Sequence, residues 1–171
     1  KDRKIVAVIG DGSLSGGISY EALNHAGDLG TDMLIVVNDN EMSIAPNVGA
    51  MSRYLTQVQR NPLYNRVRDK IGEFVETHGA LNTLVRKWEE SVKSFLTPGV
   101  LFEELGFRYF GPIDGHDLKK LIDTFHFVKP MTGPRVIHVI TEKGKGFALA
   151  EANKEKWHGL AAYDPETGEP K

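Results

Sequence analysis

Two short polar stretches, Gly10-Asp11-Gly12 and Asn38-Asp39-Asn40, are where residue type and spacing first point to chemistry. Asp11, Asn38, Asp39 and Asn40 are all oxygen donors, with no His or Cys among them. Carboxylate and amide oxygens brought together suit a hard cation such as Mg²⁺ or Ca²⁺ rather than zinc or copper. Mg²⁺ takes few protein ligands and completes its shell with phosphate oxygens and water, so a phosphorylated ligand is expected beside it. Gly12 lets a ligand approach the backbone closely. Ser13-Leu14-Ser15-Gly16-Gly17 then leads into a helix whose free N–H groups and dipole favour a phosphate. A dinucleotide fingerprint starting at Gly10 fails, because its third glycine falls on Ser15, and a Walker loop fails because no Gly-Lys-Ser/Thr occurs.

These residues need elements to hold them. Residues 5–9 and 33–37 are continuous apolar runs, the pattern of strands covered on both faces of a parallel sheet. Between them Ile18, Ala22, Leu23, Ala26 and Leu29 recur at helical spacing, and Gly27 and Gly30 punctuate the end. Strand, helix and strand form a βαβ unit with a right-handed crossover. Ligands of such sheets lie beyond the carboxyl ends of the strands, where both polar stretches stand. After Pro98-Gly99 the α/β rhythm resumes with a helix over 100–105, a short strand over 107–110, a helix over 118–128 capped by Asp117, and a buried strand over 135–141. The stretch 52–97 differs: it is rich in Arg and Lys, and carries Leu81, Leu84, Val85, Trp88, Val92 and Phe95 as an apolar stripe. The expectation is an α/β domain over 1–150, a parallel sheet flanked by helices, with a helical insertion at 52–97. Residues 151–171 have linker composition, with Trp157 as an anchoring contact.

Composition bounds the alternatives. A chain of 171 residues, 40% hydrophobic and 26% charged, is one ordinary domain and not a disordered segment. A net charge of −2 offers no electrostatic case for nucleic acid or an anionic membrane. The absence of cysteine excludes disulfides, thiolate zinc and a Cys nucleophile within these residues. The longest apolar runs, five residues each, are too short to cross a bilayer. The sequence opens on a strand with no leading Met and no secretory signal, which reads as an internal piece of a longer, cytoplasmic chain.

The wording around the polar stretches narrows the reading. Gly10-Asp11-Gly12, with Asn40 29 positions after Asp11, resembles the diphosphate and magnesium motif of thiamine diphosphate enzymes. Glu21-Ala22-Leu23-Asn24-His25-Ala26-Gly27, the run from Asn38 to Ile44 and Asn47-Val48-Gly49-Ala50 resemble the 1-deoxy-D-xylulose-5-phosphate synthase family. So do the run from Gly111 to Asp117, Thr141-Glu142-Lys143-Gly144-Lys145-Gly146 and Trp157-His158-Gly159. Transketolases and the first component of pyruvate dehydrogenase share the magnesium motif but not the Asn-Glu-Met-Ser-Ile continuation.

The resemblance, which covers about residues 4–168 and is weakest through 52–97, implies the following roles. Asp11 and the Asn40 side chain would ligate Mg²⁺, with the Met42 backbone carbonyl as a third ligand. Gly12 and Ser13 would contact the diphosphate. Phe147 matches a cofactor-contacting position where family members often carry Tyr; Phe keeps the packing and loses the hydroxyl. His158 matches a histidine facing the reacting centre, where an imidazole can move protons near neutral pH. His116 is explained by a turn and helix start, and His25, His78, His126 and His138 read as surface or structural. Lys143 and Lys145 stand where they could attract an anion. The implied activity is condensation of pyruvate with D-glyceraldehyde 3-phosphate with loss of CO₂, in a homodimer. The remainder of the polypeptide would supply a pyrimidine-binding domain and its activating glutamate, so these 171 residues by themselves are expected to be inactive. The alternatives are another thiamine diphosphate enzyme, such as a transketolase or a 2-oxo acid dehydrogenase component, or a noncatalytic magnesium or phosphate-binding module.

Overall fold

The computed structural model describes residues 3–60, 99–164 and 166–169. The helical insertion expected over 52–97 therefore lies outside the described residues from position 61 onward. In chain order the elements are β1 (Ile5–Gly10), α1 (Asp11–Leu14), α2 (Gly17–Asp28), β2 (Met33–Asp39) and α3 (Ala50–Arg60). After the undescribed stretch come α4 (Val100–Glu104), β3 (Arg108–Asp114), α5 (Leu118–Val128), β4 (Arg135–Ile140), α6 (Ala148–Ala152) and a 3-10 turn (Lys156–His158).

The four strands form one parallel sheet in the order β1-β2-β4-β3. Gly10 is level with Asn38, and Asp39 and Asp114 are each level with Ile140, so the strands end along one edge. β2 and β4 are central, and their apolar side chains divide between two cores by the period-2 alternation of a strand. Ile35, Val37 and Val136 join Leu14, Leu23, Leu55, Phe102 and Phe107 on one face. Val36, Ile137 and Val139 join Ile113 and Val128 on the other. α5 covers this second face, and its first turn is closed by Asp117, whose carboxylate accepts the Lys120 N–H at 3.0 Å.

Three expectations need correction or extension. β1 is not buried on both faces: Ala7 and Ile9 pack on the first core, while Val6 and Val8 are 52% and 73% exposed. Among the described residues it pairs with β2 alone, at the edge of the sheet, and a continuous apolar run does not distinguish an edge strand from a central one. β3 runs on to Asp114, past the expected end at residue 110, because a register shift between Phe110 and Ile113 absorbs Gly111-Pro112. Gly111 is required there, since its φ is +143° and a Cβ would stand 2.6 Å from the His138 carbonyl oxygen. Finally, the polar tail is anchored by more than Trp157. Phe147, Trp157 and Tyr163 form a ring cluster, and Gly168 closes beneath the Trp157 ring. Among the described residues no helix is long and apolar enough to cross a membrane.

Candidate functional site

The carboxyl edge of β1 and β2 gathers the first group of expected residues. β1 ends at an extended Gly10, and Asp11 opens α1 with its side chain buried. Asn47 Nδ2 donates to Asp11 Oδ2 at 2.7 Å. Asp39, the last residue of β2, is also buried, beside Asp11. Burial, followed by the neighbouring Asp39 charge, pushes the Asp11 carboxyl up from 3.8 to about 6. Two adjacent buried carboxylates of this kind are relieved by a divalent cation, so the donor set fits Mg²⁺.

The loop after β2 folds back over this pair. Glu41 takes a left-handed conformation (φ 60°), and the Asn47 N–H donates to its carbonyl at 3.0 Å, which returns Asn47 to Asp11. Asn40 Oδ1 accepts the Met42 N–H at 3.1 Å, and Met42 pairs with Pro46. Gly12 lies directly against the loop: a Cβ there would meet Ser43 Oγ at 2.5 Å. Asp11 and Gly12 are thus in contact, through Asn47 and Ser43, with the loop that bears Asn40 and Met42. Ser13 is exposed in the first turn, its carbonyl accepting from Ser19 Oγ at 2.9 Å.

His158 and Phe147 come from the far side. Lys143, just past β4, donates through Nζ to the Ser43 carbonyl at 2.7 Å and also contacts His158 Nδ1. An ammonium only donates, so Nδ1 is the acceptor and Nε2 carries the ring hydrogen. His158 is exposed and tied through Lys143 to the loop over Asp11. Phe147 is half-buried, its ring edge-to-face with Trp157 at 4.9 Å and tilted against Tyr163 at 6.5 Å. The ring contacts seen for Phe147 are thus with the tail, not with the Asp11 group.

His116 donates its N–H to Asp114 Oδ1 and accepts the Glu142 N–H at Nε2, both at 2.8 Å, consistent with a turn at the start of α5. Lys145 is held by Glu142 at 3.0 Å, and that ion pair pushes its ammonium pKa up. His138, expected as surface or structural, proves fully buried at the centre of a polar string. Its Nε2 lies 2.9 Å from Asp39 Oδ2 and its Nδ1 lies 2.7 Å from the Tyr109 hydroxyl. A lone His inside the apolar run of β4, Arg-Val-Ile-His-Val-Ile, is the signal that could have found it, because a buried polar side chain needs partners.

The family model of 1-deoxy-D-xylulose-5-phosphate synthase matches residues 1–141. The chain belongs to this family. It is 52% identical over 167 residues to the family's protein from Nitrosococcus oceani, covering 97% of this chain and 26% of that protein. The Desulforudis audaxviator protein of the same name is 48% identical over 172 residues, covering 98% and 27% respectively. The chain therefore spans about a quarter of the length of these curated relatives. Phe147 and His158 lie beyond the part matched by the family model. A solved transketolase from Campylobacter jejuni superposes with a TM-score of 0.53 at 23% identity, covering 89% of this chain and 17% of that one, which supports the α/β fold. Among the described residues no group of three or more His, Asp or Glu side chains is placed to hold a metal ion.

Proposed function

We propose that this chain is the diphosphate-binding part of a 1-deoxy-D-xylulose-5-phosphate synthase. The enzyme would condense pyruvate with D-glyceraldehyde 3-phosphate, release CO₂ and feed isoprenoid precursor synthesis, using thiamine diphosphate and Mg²⁺. Within a chain of this family, the observation that carries the reading is Asp11, a buried carboxyl at the end of β1 raised to about 6 by burial and by Asp39. Asp11, Asn40 Oδ1 and the Met42 carbonyl would hold the cation. Asn40 Oδ1 accepts one N–H and keeps a second lone pair for it. Gly12 and Ser13 would meet the diphosphate through backbone N–H groups and the Ser13 hydroxyl. When bound, the thiazolium ring supplies both the nucleophilic carbon and the electron sink for decarboxylation. His158, with its Nδ1 held by Lys143, would exchange a proton with the reacting substrate at Nε2. Phe147 would offer the cofactor an apolar wall and no hydroxyl.

The remaining partners, a pyrimidine-binding domain elsewhere in the polypeptide and a second subunit, rest on the family resemblance and on the quarter-length match, as does action in the cytoplasm. Product analysis of the complete polypeptide tests the reading. Pyruvate and D-glyceraldehyde 3-phosphate should give deoxyxylulose phosphate and CO₂ in equal amounts, and Asp11→Ala should abolish Mg²⁺-dependent cofactor binding. A product formed only from ketose donors would move the chain to a transketolase activity. Partner binding indifferent to Asp11→Ala, with no turnover, would make it a noncatalytic module.

A further inference from the structure

The polar string under the loop crosses the whole sheet. Tyr109 stands on β3, His138 on β4, Asp39 at the end of β2 and Asp11 just after β1, which is the order of the strands in the sheet. The register explains why they meet. Tyr109 is level with Val136 and Val37 with His138, and the period-2 alternation then puts Tyr109, His138 and Asp39 on the face that carries Val37 and Val136. The Tyr109 ring is fixed by stacking on the fully buried Phe102, with centroids 5.7 Å apart. A carboxylate accepts and does not donate, so His138 Nε2 donates to Asp39 and Nδ1 accepts from the Tyr109 hydroxyl.

We infer that Tyr109 and His138 are positioning residues for the cation site: through His138 they fix the Asp39 carboxylate, and Asp39 in turn places both Asp11 and the start of the loop bearing Asn40 and Met42. Asp39 is the junction. Its Oδ2 accepts from His138 and its Oδ1 accepts the Glu41 N–H at 3.1 Å; the Glu41 carbonyl accepts the Asn47 N–H, and Asn47 Nδ2 donates to Asp11. Glu41 is the left-handed residue where the loop turns, so a rotation of the Asp39 carboxylate moves the turn and the Asn40 and Met42 oxygens on either side of it. An ordinary core does not need this string. Apolar side chains at 39, 109 and 138 would fill the same face without burying an imidazole and a carboxylate, whose desolvation is expensive. The inference rests on the cofactor reading above.

The test uses the complete polypeptide and calorimetric titration of Mg²⁺ in the presence of thiamine diphosphate, with a thermal melt of each variant as a folding control. Tyr109→Phe keeps the stacked ring and deletes only the hydroxyl, and should weaken Mg²⁺ binding by roughly 3- to 10-fold. His138→Leu removes both bonds and should weaken it by about 100-fold. His138→Gln, which restores a donor toward Asp39, should recover most of that loss. Cofactor affinity measured at saturating Mg²⁺ should match the unsubstituted protein in Tyr109→Phe and His138→Gln, because the defect lies in metal affinity. Unchanged Mg²⁺ affinity in folded Tyr109→Phe would overturn the inference alone, leaving the string as core structure. A melt lowered in Tyr109→Phe, with the Mg²⁺ affinity intact, would do the same. An unsubstituted protein that binds neither Mg²⁺ nor thiamine diphosphate would overturn the cofactor reading and this inference with it.

Discussion

Two of the histidines held by polar partners at the same edge of one sheet, His138 and His158, stand in opposite environments. His138 is fully buried, bonded at both ring nitrogens, and locked between Tyr109 and Asp39. His158 is exposed, held at Nδ1 by Lys143, in the turn that follows α6. On the function proposed above, the difference is one of division of labour. A histidine with both nitrogens engaged in a low-dielectric interior sets geometry and is a poor proton carrier. One tethered at a single nitrogen and open to water can exchange a proton without disturbing the fold.

Substitution at the two positions should separate these roles most sharply. His138→Leu strands the buried Asp39 carboxylate without its imidazole donor and should cost about 3 kcal/mol in chemical unfolding. His158→Leu should leave stability within about 0.5 kcal/mol and cut turnover of the complete enzyme by about 100-fold. Equal losses of stability at the two sites would dissolve the contrast.

A second test acts on the carboxylate pair through pH. Asp11 binds its proton more tightly folded, at about 6, than unfolded, near 3.8, so between those values the folded state carries the extra proton. Its contribution is therefore fully present below about pH 4 and is lost as pH rises through about 6. Asp11→Asn supplies a permanent N–H donor toward Asp39 in place of that proton. In EDTA it should raise the melting temperature by about 2–4 °C at pH 7 and give no gain at pH 4, while eliminating the Mg²⁺ response. A gain of the same size at both pH values would show that the pair does not titrate in this way.

How far all this could be read beforehand follows the same division between interior and rim. β2 and β4 announce themselves as apolar runs, and α5 as an amphipathic stretch behind the Asp117 cap, because local pattern and burial agree there. The polar stretches that hold Asp11 and Asn40 are legible because strand ends in a parallel sheet gather polar residues. β1 looked the same as β2 and lies at the edge, since lateral position is set by pairing and leaves no local trace. Gly111-Pro112 reads as a break, yet the bulge carries β3 through it. The Tyr109–His138–Asp39 string needs the register between β2, β4 and β3, which depends on contacts far apart in sequence. Lys143 and His158 sit on turns with no periodicity to place them, so their meeting at the Ser43 loop was invisible.

That meeting yields the smallest of the expected stability effects and a selective functional one. Lys143 joins Ser43 on one side of the site to His158 on the other, with all three residues outside the core. Lys143→Met keeps the aliphatic stem and removes both bonds. The ion-dipole tie is solvated, so the melting temperature should move by less than about 1 °C. With Nδ1 released, the ring samples both tautomers and more than one orientation, and the fraction presenting Nε2–H to the substrate falls. The complete enzyme should then lose about 10-fold in kcat with little change in KM, since positioning of a proton donor acts on the chemical step and not on ground-state binding. Lys143→Arg, which can donate to both partners, should recover part of kcat. A variant that instead raised KM for D-glyceraldehyde 3-phosphate at constant kcat would show that Lys143 serves the substrate phosphate and that His158 keeps its place without it.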